Sequence, residues 1–180
     1  MKTVIRKAYW DYEKEENWLN EMSAKGLAFI DYTWCRYVFT DSQPGEYIYR
    51  MELLDHSISN PGSQKYLRFM EDSGVECIAS YMRWVYFRKK ASDGVFDIYS
   101  DIDSKIKHYK KVNGFWSALA CVLMFFGISN VIIGFASQPI HIFNLIAGAV
   151  CIILGIGYFI LSHPLRVKIR KLKKEKRVTE

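Results

Sequence analysis

Val112–Leu165 reads VNGFWSALACVLMFFGISNVIIGFASQPIHIFNLIAGAVCIILGIGYFILSHPL, 54 consecutive residues without an Asp, Glu, Lys or Arg. A soluble core helix keeps a polar face, and this run has none, so a purely soluble protein and a disordered one are both excluded. One helix of that length would reach about 81 Å, against a hydrocarbon core of about 30 Å. The run must therefore break. Ser137-Gln138-Pro139 is the place, because proline cannot continue a helix and Ser and Gln suit an interface. Two antiparallel transmembrane helices follow, over 114–137 and 140–162.

The flanks orient this hairpin. Lys105, Lys107, Lys110 and Lys111 precede it, and Arg166, Lys168, Arg170, Lys171, Lys173, Lys174, Lys176 and Arg177 follow, while the turn between the spans carries no Lys or Arg. Cytoplasmic loops hold the Lys/Arg excess, so both termini are expected in the cytoplasm, with two spans in the cell membrane. Lys107, Lys110, Lys111, Arg166, Lys168, Arg170, Lys171, Lys173 and Lys174 are the expected contacts to anionic lipid, each worth about 1 kcal/mol near a charged surface. Trp116 and Tyr158 suit the inner interface. Asn130 and Asn144 fall at similar depth and are expected to bond each other across the hairpin. Ala147, Cys151 and Gly155 form a small-residue stripe facing a notch at Gly127 and Gly134.

Outward from the membrane run, the charge changes sign. Residues 1–104 hold 13 Lys/Arg and 17 Asp/Glu, whereas 105–180 hold 12 Lys/Arg and 2 Asp/Glu. The pI of 9.1 thus belongs to the membrane flanks, and nucleic acid is not an expected partner. Cys35, Cys77, Cys121 and Cys151 form no CxxC pair and read as packing residues in a reducing compartment. Met1–Lys7 has no apolar run ahead of its charges, so no cleavable signal peptide is expected.

The first hundred residues predict an α+β domain over 1–96. Thr3–Tyr9, Leu27–Thr33, Trp34–Asp41, Glu46–Leu54, Val75–Met82 and Arg83–Lys89 read as strands. Glu13–Lys25 and a segment opened by Asn60-Pro61 read as helices, stopped by Gly26 and Gly74. The order β-α-β-β-β-α-β-β predicts a ferredoxin-like sandwich with an extra strand, two helices covering one face of a single sheet. Along Glu46–Leu54, Tyr47, Tyr49, Met51 and Leu53 alternate with Ile48, Arg50 and Glu52, so the first set should face the helices. Arg50 and Glu52 would then sit on the open face as a candidate site. Asp97–Val112, acidic first and basic last, predicts a stalk helix over 97–113, and 163–180 a basic cytoplasmic tail.

Trp18-Leu19-Asn20-Glu21-Met22-Ser23-Ala24-Lys25-Gly26, Arg36-Tyr37-Val38-Phe39, Pro44-Gly45-Glu46-Tyr47-Ile48-Tyr49-Arg50 and Arg83-Trp84-Val85-Tyr86-Phe87-Arg88-Lys89-Lys90 together resemble the bacterial domain-of-unknown-function family 2812. The resemblance implies C-terminal membrane helices and a gene often placed beside a PadR-like regulator, and it brings no catalytic residues. Leu27 stands where that family commonly has a large aromatic.

No phosphate-binding glycine loop, nucleophile elbow or HExxH is present, and His56 and His108 are isolated, so no catalytic residue, metal or cofactor is expected. Three functional classes remain. The leading one is a membrane-tethered cytoplasmic adaptor or sensor acting by protein contact or small-ligand binding. The second is an accessory subunit of a larger transport or envelope-stress complex, assembled through the hairpin. An enzyme at the inner membrane surface is the least supported.

Overall fold

A computed structural model of the chain describes residues 2–99 and 101–179, so Met1 and Glu180, the ends of the predicted domain and tail, lie outside the described residues. The elements run β1 (Lys2–Arg6), α1 (Tyr12–Ala24), β2 (Leu27–Thr33), β3 (Arg36–Asp41), β4 (Tyr47–Leu53), α2 (Pro61–Asp72), β5 (Glu76–Tyr81), β6 (Trp84–Lys90), α3 (Ile102–Ala136) and α4 (Ile142–Thr179). They divide into two compact units, Met1–Ser100 and Asp101–Glu180. The first is α+β and the second is a helical hairpin.

Capping chemistry sets the helix ends. Asp11 accepts the Glu13 N–H to open α1, and Asn60 accepts the Gly62 N–H ahead of Pro61 to open α2. Gly26 (φ +79°) and Gly74 (φ +78°) then turn the chain in the left-handed region that L side chains avoid.

The strands form two antiparallel sheets, β1-β3-β2 and β4-β6-β5, in place of the single sheet expected. Each sheet is one β-α-β-β unit, and the two units repeat each other at a spacing of 48 residues. Ile30 is the extra residue in the β2–β3 register and Ile78 the extra residue in the β5–β6 register. Trp34 (φ +38°) and Met82 (φ +56°) occupy the matching hairpin turns. The identities at this spacing are Leu19/Leu67, Met22/Met70, Gly26/Gly74, Ile30/Ile78 and Phe39/Phe87, all core, turn or bulge positions.

The helices do not share a face. Tyr49 (1% exposed) and Met51 (3%) of β4 pack with Leu19 and Met22 of α1 and with Phe29, Tyr37 and Phe39 of the first sheet. The opposite face of the second sheet, through Val85, Phe87 and Ile48, packs on Leu67 and Met70 of α2. Tyr49, Met51 and Leu53 of the apolar set along β4 are buried as expected and Tyr47 is half-buried, but the set expected in the open is covered too, with Glu52 buried and Ile48 and Arg50 half-buried. Phe96 and Ile98 belong to that second core, so the folded unit continues past 96, and the stalk helix begins only at Ile102, where Asp101 caps it.

α3 and α4 are long and apolar enough to cross a membrane by length and composition. Both run beyond the charge-free stretch as an antiparallel pair. α4 continues through Pro164, so the basic tail is helical. At the far end of the pair, Lys176 clamps Asp103 at 2.7 Å.

Candidate functional site

An edge strand exposes a row of backbone groups, and β4 is the edge of its sheet. α1 covers it with a polar stripe one helical turn apart. Glu16 Oε2 accepts the Met51 N–H (2.8 Å), and Asn20 accepts the Tyr49 N–H (2.8 Å) while donating to the Tyr49 carbonyl (3.0 Å). Ser23 donates to the Tyr47 carbonyl at 2.6 Å. The Asn20 and Ser23 positions of the first block quoted above, with the strand of the third, therefore form a clip that closes a sheet edge.

Two buried carboxylates face tyrosine hydroxyls. Glu15 (7% exposed) accepts from Tyr37 (2.6 Å) and Tyr86 (2.7 Å), and burial raises its pKa against the lowering effect of those two bonds. Glu52 accepts from Tyr66 of α2 at 2.6 Å. Burial, then the carboxylate charge, pushes the Tyr37, Tyr86 and Tyr66 hydroxyls far up, so they act here as fixed donors. The expected open-face site is thereby undone: Arg50 pairs with Glu16 of α1 at 3.4 Å, while Glu52 is buried under α2. Among the described residues no three His, Cys, Asp or Glu side chains are placed to hold a metal ion.

One outward-facing feature of this unit is the pair of hairpin tips. Trp34 (74% exposed) and Met82 (75% exposed) both sit at positive φ, where a bulky side chain costs about 1–3 kcal/mol. The tips adjoin, since the Trp34 ring meets Tyr81 edge-on at 6.2 Å and Tyr81 meets Tyr32 at 5.6 Å. Two-residue hairpin turns ordinarily take Asn or Gly at such positions. Reading Trp34–Asp41 as one strand hid this turn; the signal was Trp34-Cys35 placed between two strand runs with no turn former.

In the hairpin unit, close approach depends on small residues seven apart. Ala120, Gly127 and Gly134 of α3 face Gly155, Gly148 and Leu145 of α4, and a Cβ on Gly127 would meet Ile152 at 2.7 Å. The seam repeats every seven residues because packed antiparallel helices regain register at that interval. Gly155 lies on it as expected, but Ala147 and Cys151, chosen at a spacing of four, are half-buried flanks. Asn130 donates to the Phe126 carbonyl of its own helix (2.8 Å) instead of bonding Asn144. Trp116 stacks on Tyr158 at 5.4 Å.

The expected lipid contacts fall into two groups. Lys107, Lys110, Arg170, Lys171, Lys173 and Lys174 are exposed, whereas Lys111, Arg166 and Lys168 are half-buried. Lys168 lies 5.9 Å from the Tyr109 ring, and Arg166 turns between the helices toward Asn113, Ser117 and Ser162.

A family model described as "Protein of unknown function (DUF2812)" matches residues 11–121, from the first helix to the start of the membrane run. No curated relative and no solved structure matches the chain.

Proposed function

The chain belongs to the DUF2812 family, whose function is unknown, and from that premise we propose that it is a membrane-tethered cytoplasmic adaptor or sensor, its folded unit acting by contact with a protein partner. The observation that carries this reading is the pair of exposed hairpin tips, where Trp34 and Met82 are displayed from strained turns. Backbone strain of that kind persists where the surrounding fold enforces it, and exposed large side chains on such turns are characteristic of contact surfaces. The buried carboxylates, by contrast, are engaged by tyrosines inside packed cores. The Lys/Arg bias on both flanks of the apolar run supports a bacterial plasma-membrane location with both termini cytoplasmic.

Photo-crosslinking residues placed singly at Trp34, Met82 and, as a control on α2, Phe69 (63% exposed) test the contact surface in intact membranes. Discrete adducts are expected from the two tips and none from Phe69. Adducts from the lipid-facing positions of α3 and α4 alone would instead favour the accessory-subunit reading. Topology is tested on a variant without the native cysteines. A cysteine at Gln138 should react with an impermeant reagent in intact cells and one at Lys65 should not; the reverse would put the folded unit outside.

A further inference from the structure

Arg166 is the first charge after the apolar run, and its guanidinium is half-buried between α3 and α4. Nε donates to Asn113 Oδ1 at 3.4 Å, and Nη2 to Ser162 Oγ at 2.8 Å and Ser117 Oγ at 3.4 Å. All three partners are neutral. The guanidinium also lies 5.6 Å from the Phe159 ring. Among the described residues Arg166 forms no ion pair. The acidic residues of this unit are Asp101, Asp103, Glu175 and Glu180. Asp103 is held by Lys176, about 15 Å along the helix pair from Asn113 at 1.5 Å per residue. A cation at a membrane boundary, partly withdrawn from water and without a counter-charge, is costly, and such residues pair with whatever anion that depth supplies.

We infer that Arg166, held by Asn113, Ser117 and Ser162, is a binding site for the headgroup phosphate of an anionic phospholipid in the cytoplasmic leaflet. This rests on the reading that α3 and α4 span a membrane with both ends cytoplasmic. The three neutral oxygens hold Nε and Nη2, which fixes the plane of the guanidinium. Nη1 makes no hydrogen bond within the described chain and is not a buried orphan, so it remains for a phosphate oxygen. Charge-assisted bonds from a guanidinium to phosphate are among the stronger ones available. Beside it, Ile156, Phe159, Ile160, His163 and Pro164 line a groove of about 440 Å³, predominantly apolar, that suits an acyl chain. Phe159 thus joins the headgroup anchor to the chain groove. Exposed tail lysines such as Lys173 contribute only a diffuse field.

The full chain, purified in neutral detergent, is titrated with phosphatidylglycerol or with phosphatidylcholine of the same acyl chains, and retained lipid is counted by native mass spectrometry. One phosphatidylglycerol per chain is expected, with phosphatidylcholine weaker by about tenfold or more, because its choline cation sits beside the same phosphate and opposes the guanidinium. Arg166→Gln should weaken phosphatidylglycerol retention by about tenfold or more, Arg166→Lys by several-fold because the planar fork is lost, and Lys173→Gln hardly at all. Equal retention of the two lipids by the wild type overturns the proposal, as does a Lys173→Gln loss matching that of Arg166→Gln. If Arg166→Gln does not fold, wild-type retention by the folded Arg166→Lys variant overturns it. Displacement of the lipid by millimolar inorganic phosphate would reassign the site to a soluble anion and likewise overturn it. Flotation of the chain with liposomes, done first, separates failure of the membrane reading from failure of the site.

Discussion

The two β-α-β-β repeats follow the same path and use it differently. The first helix, α1, meets an aromatic core through Leu19 and Met22, buries Glu15, and clips the edge of the other repeat's sheet through Glu16, Asn20 and Ser23. The second, α2, meets the far face of its own sheet together with Phe96, and leaves Phe69 in the open. What has stayed the same is the minimum that fixes the trace: a Leu and a Met on the buried face, a left-handed glycine after the helix, a bulge and a core Phe. What has diverged is everything that decides where the helix docks. The positions that set the backbone are common to the two repeats, while those that set where the helix docks differ.

The comparison breaks most readily at Tyr49, where the second sheet enters the first core. Its ring is 1% exposed and its hydroxyl oxygen accepts the Phe29 N–H at 2.8 Å. Tyr49→Ala is expected to cost roughly 3–5 kcal/mol, the range of large aromatic core truncations. Phe69→Ala on α2 should stay within about 0.5 kcal/mol, as an exposed change does. Unfolding of the full chain in detergent, followed by near-UV circular dichroism, measures both. Similar losses at the two positions would mean that α2 is as embedded as α1.

A sharper comparison uses the equivalent glycines. Alanine at either Gly26 or Gly74 meets the left-handed penalty of about 1–2 kcal/mol. At Gly26 the new Cβ would also lie 3.0 Å from the Ser42 carbonyl oxygen, whereas at Gly74 it enters open space. Gly26→Ala should therefore be the worse by about 1 kcal/mol or more, since overpacking adds to the backbone cost. Equal costs would show that the chain around Ser42 yields freely, and that the first repeat is no more tightly packed at this turn than the second.

Much of this was legible in sequence because it rests on local rules. The caps at Asn60 and Gly26, the alternation along β4 and the break at Ser137-Gln138-Pro139 each follow from a few adjacent residues. The sheet division was not, because Glu16, Asn20 and Ser23 satisfy a strand edge 24 to 35 residues away, which no local pattern records. The 48-residue repeat was hidden because its shared residues are sparse and scattered among diverged ones. The Arg50 and Glu52 site failed for a related reason: a charged alternating face was read as solvated, but Tyr66 covers Glu52 and Glu16 takes Arg50. On the membrane side, a spacing of four gave the wrong small residues because the seam between α3 and α4 returns every seven. Trp34 and Met82 had no local marker except a turn lacking turn residues.

The smallest expected effect tests the most unusual feature of the first repeat, a carboxylate inside an aromatic core. Burial holds the Glu15 pKa above its ordinary value of 4.5, and the bonds from Tyr37 and Tyr86 oppose that without reversing it. The folded state therefore keeps the Glu15 proton at pH values where the unfolded chain has released it. Between 4.5 and the raised folded value, stability falls as pH rises; below 4.5 this contribution is fully present, and above the folded value it is gone. Glu15→Gln removes that titration while keeping an acceptor for both tyrosines. The wild type should thus gain stability relative to Glu15→Gln as the pH is lowered from neutrality toward 4.5, with no further gain below it. Denaturant unfolding of the two full-length proteins across that range measures the difference. A difference that moves the other way, the wild type losing ground on acidification, would show that the two tyrosine hydroxyls outweigh burial. The Glu15 cluster would then be a charge-stabilised core, built to hold a carboxylate anion between the two sheets.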